Sequence, residues 1–490
     1  MHRLLGSQAD LLRRVPGLRM LFYAAFGSGL GSWMAFVALN LDVWERTHSG
    51  SWIAALLIAD FLPAIAIGLT VGPLVDRLSR RRVMVCADVV RFLVFCTLPF
   101  ATSAGQIVAL AAVAGFATGF FRPAVYAGLP NLVEDHELPN AQGLLQAADA
   151  VTTVVGPLIG GVLVAATSPD WAYVLNAITF LYSAALILRI PARLLQVVQA
   201  TTEGHWRDIA VGLRLITSSR ALLTVLIAWN VGMLGNAGIN VGEVVLAKVS
   251  FGAGDFGYGL LLATAGFGLV FGSLSAGGWL ERRDLPRVYS SGFILMAIGI
   301  GAAAVSPNVW FAAACVIVSG VGNGVAVVCN AVLVQRGAPD AMRGRVFTVL
   351  MSSNYAVLGL AMGGAGLLTS AFGARWVWLM AGGVYAVAAG VALFMTRWLP
   401  VGVHEQERAV EAAAVEAASV LGVDANGKAP DPVSEPEPVF LPEPEPSPAP
   451  APVVVEPLAD GTSTNGLERI ATLLEQIEER RQLEARRTTK

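Results

Sequence analysis

Long apolar runs separated by short polar connections dominate the first four-fifths of the chain. A helix that crosses a bilayer needs about 20 mostly apolar residues. Runs of this kind predict an all-α membrane protein with twelve transmembrane helices. They lie at residues 18–43, 52–75, 83–103, 106–131, 142–167, 171–189, 221–248, 257–280, 287–306, 309–334, 346–371 and 375–397.

Composition and charge placement agree with this pattern. The chain has 490 residues, of which 55% are hydrophobic and 14% charged, whereas ordinary globular domains carry about 25% charged residues. If the N-terminus is cytoplasmic, the inner connections hold twenty Arg, and the outer ones hold only Arg46, Lys248 and Arg375. This bias predicts two cytoplasmic termini. The acidic inner connection at residues 134–140 is an exception. Residues 1–17 are polar and basic, so we expect a cytoplasmic segment and no cleaved signal peptide.

An internal repeat divides the apolar part into two halves. The sequence GPLVDR at residues 72–77 recurs as GGWLER at 277–282, an offset of 205 residues, and the same offset pairs Gly115 with Gly320 and Gly119 with Gly324. A six-helix unit repeated in parallel is a known transporter plan. We therefore predict six-helix halves at residues 18–189 and 221–398, joined by a cytoplasmic linker at 190–220.

The C-terminal region differs in composition from the rest. Residues 401–490 carry a formal net charge of −9, against +7 for residues 1–400. The Pro/Glu-rich segment 399–465 is expected to be disordered. Residues 466–487 are expected to form a short helix. That helix is either solvated on its tether or a weak self-association or protein-docking element.

Four motifs carry a family resemblance. The stretch GPLVDRLSRRRVM (residues 72–84) resembles the signature of the connection between helices 2 and 3 in the major facilitator superfamily, with Ser79 in place of the usual second glycine. The stretch GPLIGG (156–161) resembles the Gly-Pro motif of its antiporters, with Thr152 in place of the upstream glycine. Residues 120–144 and RGRV (343–346) resemble its enterobactin-exporter-like and macrolide-efflux-like branch. The resemblance covers residues 18–398.

The resemblance implies roles for particular residues. A conformational latch on the cytoplasmic side would comprise Gly72, Asp76, Arg77, Arg80 and Arg81, with Glu281 and Arg282 as the repeated counterpart. The Gly-Pro motif of helix 5 would comprise Gly156, Pro157, Gly160 and Gly161. For the Arg run, the alternative is a topology signal that also contacts lipid phosphates.

Charged residues inside spans are costly and therefore point to function. Five of them are candidates for proton coupling: Asp149, Arg122, Asp60, Asp88 and Arg91. Asp88 and Arg91 are three residues apart and can form a pair that is only structural. Arg122 and Asp149 lie at similar predicted depths, either as a static ion pair or as an Arg beside an exchangeable acid.

Further residues could line a substrate cavity: Asn236, Asn240, Asn323, Asn330, Trp33, Phe36 and Glu243. The alternative for the amides is hydrogen bonding between helices. The alternative for the aromatic residues is lipid contact or core packing. The scattered His and Cys indicate no metal site, cofactor or disulfide framework. The chain lacks a GxxxxGK[ST] loop, which argues against ATP-driven transport.

These observations favour a non-enzymatic transporter in a bacterial cytoplasmic membrane. The resemblance implies that it is a proton-coupled exporter of small amphiphilic organic compounds, drug-like or siderophore-like. Its partners would be the substrate, protons and membrane lipids, with no nucleic acid. An uptake carrier or facilitator of the same fold is one alternative. A non-transporting receptor or scaffold that acts through the C-terminal tail is another.

Overall fold

A computed structural model describes residues 10–70, 79–134, 136–195, 205–338 and 342–397. In these ranges the chain is helical, with no strand. We number the membrane helices α1 to α12. They are α1 (Pro16–Thr47), α2 (Gly50–Thr70), α3 (Arg80–Thr97), α4 (Ala104–Gly128), α5 (Leu138–Ala166), α6 (Pro169–Arg189), α7 (Arg220–Val245), α8 (Gly254–Arg282), α9 (Leu285–Ala304), α10 (Val309–Gly337), α11 (Arg343–Phe372) and α12 (Ala374–Thr396).

Local sequence sets many helix ends. Ser103 and Asn308 begin α4 and α10, and their side chains accept hydrogen bonds from the backbone N–H groups of Gln106 and Phe311. Such caps satisfy donors that the first helical turn leaves free. The α11–α12 turn needs Gly373, which has φ of +82°, a conformation that costs glycine little.

Eleven of these helices, all except α2, have stretches long and apolar enough to cross a membrane within the described part of the chain. The remaining helix, α2, is 21 residues long and apolar. Large apolar side chains project from the bundle, for example Leu274, Leu360 and Phe100, each more than 80% exposed. Exposed apolar surface of this kind belongs in lipid, which makes the chain a multi-pass membrane protein.

The two halves repeat the same helix contacts. In the first half α1 packs on α5 and α6, α2 packs on α4, and α3 packs on α4 and α6; the second half shows the same pairings shifted by six helices. The repeat between the halves extends to individual contacts between helix backbones. A Cβ added to Gly115 would lie 2.0 Å from the carbonyl oxygen of Asp60, and one added to Gly320 would lie 2.5 Å from that of Ala265. Both glycines and both carbonyls are 205 residues apart, as the motif repeat predicts.

Two long seams join the halves, α2 against α11 and α5 against α8. The internal repeat relates them to each other. The predicted fold of two six-helix halves is therefore confirmed. Eleven of the twelve helices begin one to four residues before the predicted apolar runs, because hydropathy marks only the part of a helix that lipid surrounds.

The linker contains structure that the sequence analysis missed. A helix at His205–Ser218, here the linker helix, packs on α7 and α11. The predicted disordered segment 399–465 and the terminal helix 466–487 lie outside the described residues.

Candidate functional site

The seams between the halves are tight at one end of the bundle. We call the end where α1 begins the N-terminal side and the opposite end the far side. A Cβ added to Gly366 of α11 would lie 2.8 Å from the Cβ of Ala54 on α2. A Cβ added to Gly161 of α5 would lie 2.9 Å from the Cα of Gly259 on α8. Small residues thus let the halves meet backbone to backbone on the far side.

The Gly-Pro motif of α5 lies where this helix packs on both α1 and α8. Gly156 and Gly160 pack on α1, where added Cβ atoms would lie 2.5 Å from the Trp33 Cβ and 2.6 Å from the Met34 carbonyl oxygen. Pro157 lacks an N–H group, so it leaves the Thr153 carbonyl without its helical donor. That carbonyl faces α8, 3.0 Å from the position of a Cβ on Gly266. All four predicted motif residues lie in this helix, and three have contacts that depend on the lack of a side chain.

An ion-pair cluster also links the halves on the far side. A π-helical turn, Leu246–Ser250, follows α7 and carries Lys248. The Lys248 ammonium donates to Glu45 of α1 and, at 2.6 Å, to Asp255 of α8. Glu45 belongs to the first half and Asp255 to the second. The sequence did not predict this three-residue cluster. One feature could have pointed to Lys248, namely that it is one of only three bases predicted on the far side.

Arg122 and Asp149 come together as predicted. Arg122 of α4 donates from Nη2 to Oδ2 of Asp149 on α5 at 3.0 Å, and the Tyr126 hydroxyl donates to the same oxygen at 3.2 Å. The side chains are 63% and 40% exposed, respectively. Asp149 lies eleven residues into α5, which places it about 16 Å along the helix. Since charges at this depth avoid lipid, an exposed pair here indicates a water-filled space.

The surroundings of Asp149 show where that space lies. Thr153 is one turn further along α5 and faces Gly266 of α8, and positions four apart share a helix face. Asp149 therefore faces the seam between the halves, one turn to the N-terminal side of their last close approach on α5.

Asp88 and Arg91 form a pair of a different kind. Arg91 Nη2 donates to Asp88 Oδ1 at 2.5 Å, and both side chains are at most 5% exposed. The guanidinium lies between the rings of Phe121 and Phe180, 4.2 and 4.3 Å from their centroids. Arg91 is thus neutralised on one edge and stacked on both faces. Nothing in this arrangement gives a solute access to the pair.

Two other acids stand apart from cations. Glu243 of α7 is 4% exposed, and Asp60 of α2 is partly buried. Within the described part of the chain, neither carboxyl group has a hydrogen-bond or ion-pair partner. The structure brings neither of them to the Arg122–Asp149 pair.

The predicted amides divide into two groups. Asn240 donates to the backbone and side-chain oxygens of Asn236 at 2.8 and 2.6 Å, and Asn330 accepts from the Tyr289 hydroxyl at 2.6 Å. The Asn330 bond joins α9 to α10 and is helix–helix hydrogen bonding. Asn236 and Asn323 line a small recess of the second half together with Trp229, Phe293 and Tyr385.

Trp33 and Phe36 lie together on α1. Their ring centroids are 5.6 Å apart, and Phe36 also approaches Phe61 of α2 at 6.3 Å. Both residues are partly buried. They form an aromatic surface within the first half.

Only part of the predicted latch falls within the described residues. Gly72, Asp76 and Arg77 lie outside them. Arg80 donates to the Ala127 carbonyl at 2.7 Å, at the end of α4, where a cation also stabilises the helix dipole. Arg81 is partly buried, and Glu281 and Arg282 are exposed at the end of α8.

The acidic connection that broke the predicted charge bias has a structural partner. Arg14 donates to Glu137 at 2.6 Å and to Asp10 at 2.8 Å. The hydrogen bond to Glu137 raises the pKa of Arg14 above its usual value. This acidic segment thus binds a base of the chain's own N-terminal region.

Comparison with known proteins adds a family context. The family model described as Major Facilitator Superfamily matches residues 21–241 and 230–441. The chain is 25% identical to the uncharacterised MFS-type transporter YfiS of Bacillus subtilis (strain 168), over 76% of this chain and 92% of YfiS. It is 27% identical to the enterobactin exporter EntS of Salmonella paratyphi A, covering 73% and 86% of the two chains.

Two further proteins give the same picture. The chain is 27% identical to the multidrug efflux pump Tap of Mycolicibacterium fortuitum, over 79% of this chain and 97% of Tap. A crystal structure of the nucleoside transporter NupG superimposes with a TM-score of 0.64 at 15% identity, covering 78% of this chain and 100% of that one. This last likeness concerns the fold.

Proposed function

The chain belongs to the major facilitator superfamily, and from this premise we propose that it exports small amphiphilic organic compounds in exchange for protons. It is a membrane transporter of the exporter-like branch and not an enzyme. The proposed location is a bacterial cytoplasmic membrane, with both termini and the N-terminal side of the bundle in the cytoplasm.

One observation carries the proposal, namely that the Arg122–Asp149 pair is exposed at membrane depth. The buried Asp88–Arg91 pair exchanges nothing with solvent, whereas Asp149 is 40% exposed and has an acceptor oxygen outside its two hydrogen bonds. A nearby cation stabilises a carboxylate. The carboxylate is destabilised when the cation moves away and its own surroundings become less hydrated. A change in the relative positions of α4 and α5 would therefore change how well the Asp149 carboxylate is stabilised.

Proton coupling requires a difference between conformations. A site that binds a proton equally well in both states shifts no equilibrium. The α5–α8 seam meets at Thr153 and Gly266, one turn from Asp149. A rocking movement of the halves about this seam would change the surroundings of Asp149 directly. Alternating access between the far side and the N-terminal side would then carry both solutes.

Export, rather than uptake, is supported by the relatives. EntS and Tap carry the names of an enterobactin exporter and a multidrug efflux pump. The Gly-Pro motif in α5 resembles that of antiporters in the superfamily. A scaffold without transport would have no need for an exposed ion pair inside the bundle.

The test uses inside-out membrane vesicles with an imposed proton gradient and the amphiphilic dye ethidium as probe. The unsubstituted protein should accumulate the dye. Asp149→Asn should abolish gradient-driven accumulation and retain equilibrium dye binding, because the amide cannot exchange a proton. Arg287→Gln, at an exposed position in the first turn of α9, is the matched control and should transport normally.

Asp60→Asn distinguishes the competing assignment. If Asp149→Asn accumulates dye normally and Asp60→Asn fails, the proton site is Asp60. If both accumulate dye normally, coupling through these acids is wrong, and a facilitator of the same fold fits better.

A further inference from the structure

We propose that the Arg122–Asp149 site binds an α-amino-acid type head group, an ammonium next to a carboxylate, borne on an apolar substrate body. The inference rests on the proposed function, which it narrows to a substrate class. It starts from the unused hydrogen-bonding capacity of the pair. Arg122 has five N–H donors, of which one bonds Asp149, and its guanidinium also interacts with the Tyr126 hydroxyl. Both protein bonds to Asp149 end on Oδ2.

The free atoms define two adjacent subsites. Asp149 Oδ1 is an anionic acceptor suited to an ammonium, and the remaining Arg122 N–H groups suit a carboxylate, which guanidinium can bind through two parallel bonds. Because Arg122 Nη2 and Asp149 Oδ2 are only 3.0 Å apart, the two subsites are neighbours. A head group whose opposite charges are separated by two carbon atoms matches such neighbouring subsites.

The net charge of the Arg122–Asp149 site also favours a zwitterionic substrate. Arg122, Asp149 and Tyr126 together carry no net charge. When the halves close over a bound solute, each additional net charge raises the electrostatic cost of the less hydrated site. A zwitterion leaves the net charge of the site unchanged, whereas a cation or an anion changes it by one and should bind there more weakly.

The arrangement also explains exchange with protons. The Asp149 carboxylate can accept an ammonium or take up a proton, but a neutral carboxylic acid no longer attracts an ammonium as a counter-ion. Substrate and proton therefore compete for one group. Competition at a shared site is what exchange in opposite directions requires.

The apolar body has a surface to contact. Trp33 and Phe36 form an aromatic pair on α1 of the same half, and α1 packs directly on α5. Gly29 of α1 faces the Thr152 side chain, three residues from Asp149. The head-group site is thus next to α1, whose aromatic pair lies further along that helix.

Equilibrium binding to the full-length protein in lipid nanodiscs tests the inference, with phenylalanine, N-acetylphenylalanine and phenylalanine amide as probes. Phenylalanine should bind about tenfold or more tightly than either blocked form, since each blocked form loses one charge-assisted interaction. Equal binding of all three, or no binding of phenylalanine, would overturn the proposal.

Two variants assign the subsites. Arg122→Gln should bind phenylalanine and its amide equally and still reject the N-acetyl form. Asp149→Asn should bind phenylalanine and its N-acetyl form equally and still prefer the free acid over the amide. A uniform loss for all three probes in both variants would indicate a structural role only and contradict the proposal, and Arg287→Gln is the control for folding.

Failure of this inference is separable from failure of the proposed function. Ethidium accumulation without selective phenylalanine binding leaves the exporter and removes the substrate class. Selective binding without any gradient-driven accumulation leaves the substrate class and removes proton-driven export.

Discussion

At the scale of single residues, a missing side chain sets the distance between α8 and α10. A Cβ on Gly320 would lie 2.5 Å from the Ala265 carbonyl oxygen and 2.9 Å from the Gly268 Cα. Because these are backbone atoms, they cannot rotate away, and the helices must separate. Overpacking of this kind costs about 1–3 kcal/mol.

Gly320→Ala should therefore lower the thermal unfolding midpoint of the detergent-solubilised protein. Gly115→Ala, its equivalent in the first half, should do the same, because it meets the Asp60 carbonyl. Gly390→Ala is the matched control, since nothing lies within 4 Å of its added Cβ. An unchanged midpoint in both tested variants would mean that these helices are less tightly packed than the structure shows.

The two intramembrane ion pairs should respond differently to the same change. Asp88→Asn leaves Arg91 charged between two rings in a closed environment, and breaking a buried pair costs about 3–5 kcal/mol. Asp149→Asn leaves Arg122 at a position where its side chain is 63% exposed, and should cost far less. The two single variants are compared by thermal unfolding, which is monitored as the loss of soluble protein on heating. The double variant Asp88→Leu with Arg91→Met should recover most of the loss; a double variant as unstable as Asp88→Asn would contradict this account.

These pairs show how far the sequence could predict contacts. Asp88 and Arg91 are three apart on one helix, and Arg122 and Asp149 are at similar depths on consecutive helices, so both pairings could be proposed from spacing. The partners of Lys248 could not, because helical period carries no information on how two halves dock. Asn330 illustrates the same limit, since helix–helix hydrogen bonding was one of its two predicted roles but its partner Tyr289 depends on helix packing.

At the scale of elements, the π-helical turn after α7 holds the only lysine among the described residues. π-Helical turns are rare and frequent at functional sites. This one places Lys248 between Glu45 and Asp255, so the end of α7 is tied to both α1 and α8. Separation of the halves on the far side would break the Lys248–Glu45 bond, which joins them. The bond therefore stabilises one conformation of the transport cycle relative to the other.

Lys248→Gln should shift the protein toward the conformation that is open on the far side. The expected shift is several-fold in population, since a partly exposed ion pair contributes about 1 kcal/mol or less. A cysteine placed at Ala54, in the far-side seam, reports it through faster labelling by an impermeant maleimide, after the four native cysteines are replaced. Arg46→Gln is the control, because its partners, Asp42 and the Ala101 carbonyl, both lie in the same half. Equal labelling of both variants would argue against a link between the halves.

At the scale of the whole molecule, the distribution of bases still predicts orientation. Twenty Arg were assigned to the N-terminal side and three bases to the far side. The structure gives each of the three a local partner. Arg46 binds Asp42 and the Ala101 carbonyl, Lys248 binds two carboxylates, and Arg375 donates to the carbonyls of Ala304, Ser306 and Ser250. These three bases are held by partners within the protein. They therefore do not weaken the charge bias that retains Arg in the cytoplasm.

Both termini should therefore be cytoplasmic. Alkaline phosphatase, which is active only in the periplasm, should be silent when it is fused at Lys490 and active when it is inserted after Ser306, in the far-side connection between α9 and α10. The matched insertion after Arg283, between α8 and α9, should be silent. The three fusions discriminate between topologies. An inverted bundle would reverse the activity of all three fusions, and an odd number of spans would place the two termini on opposite sides of the membrane. Activity at Lys490 together with silence after Ser306 would show that the bundle is inverted, and the proposed direction of transport would then have to be reversed as well.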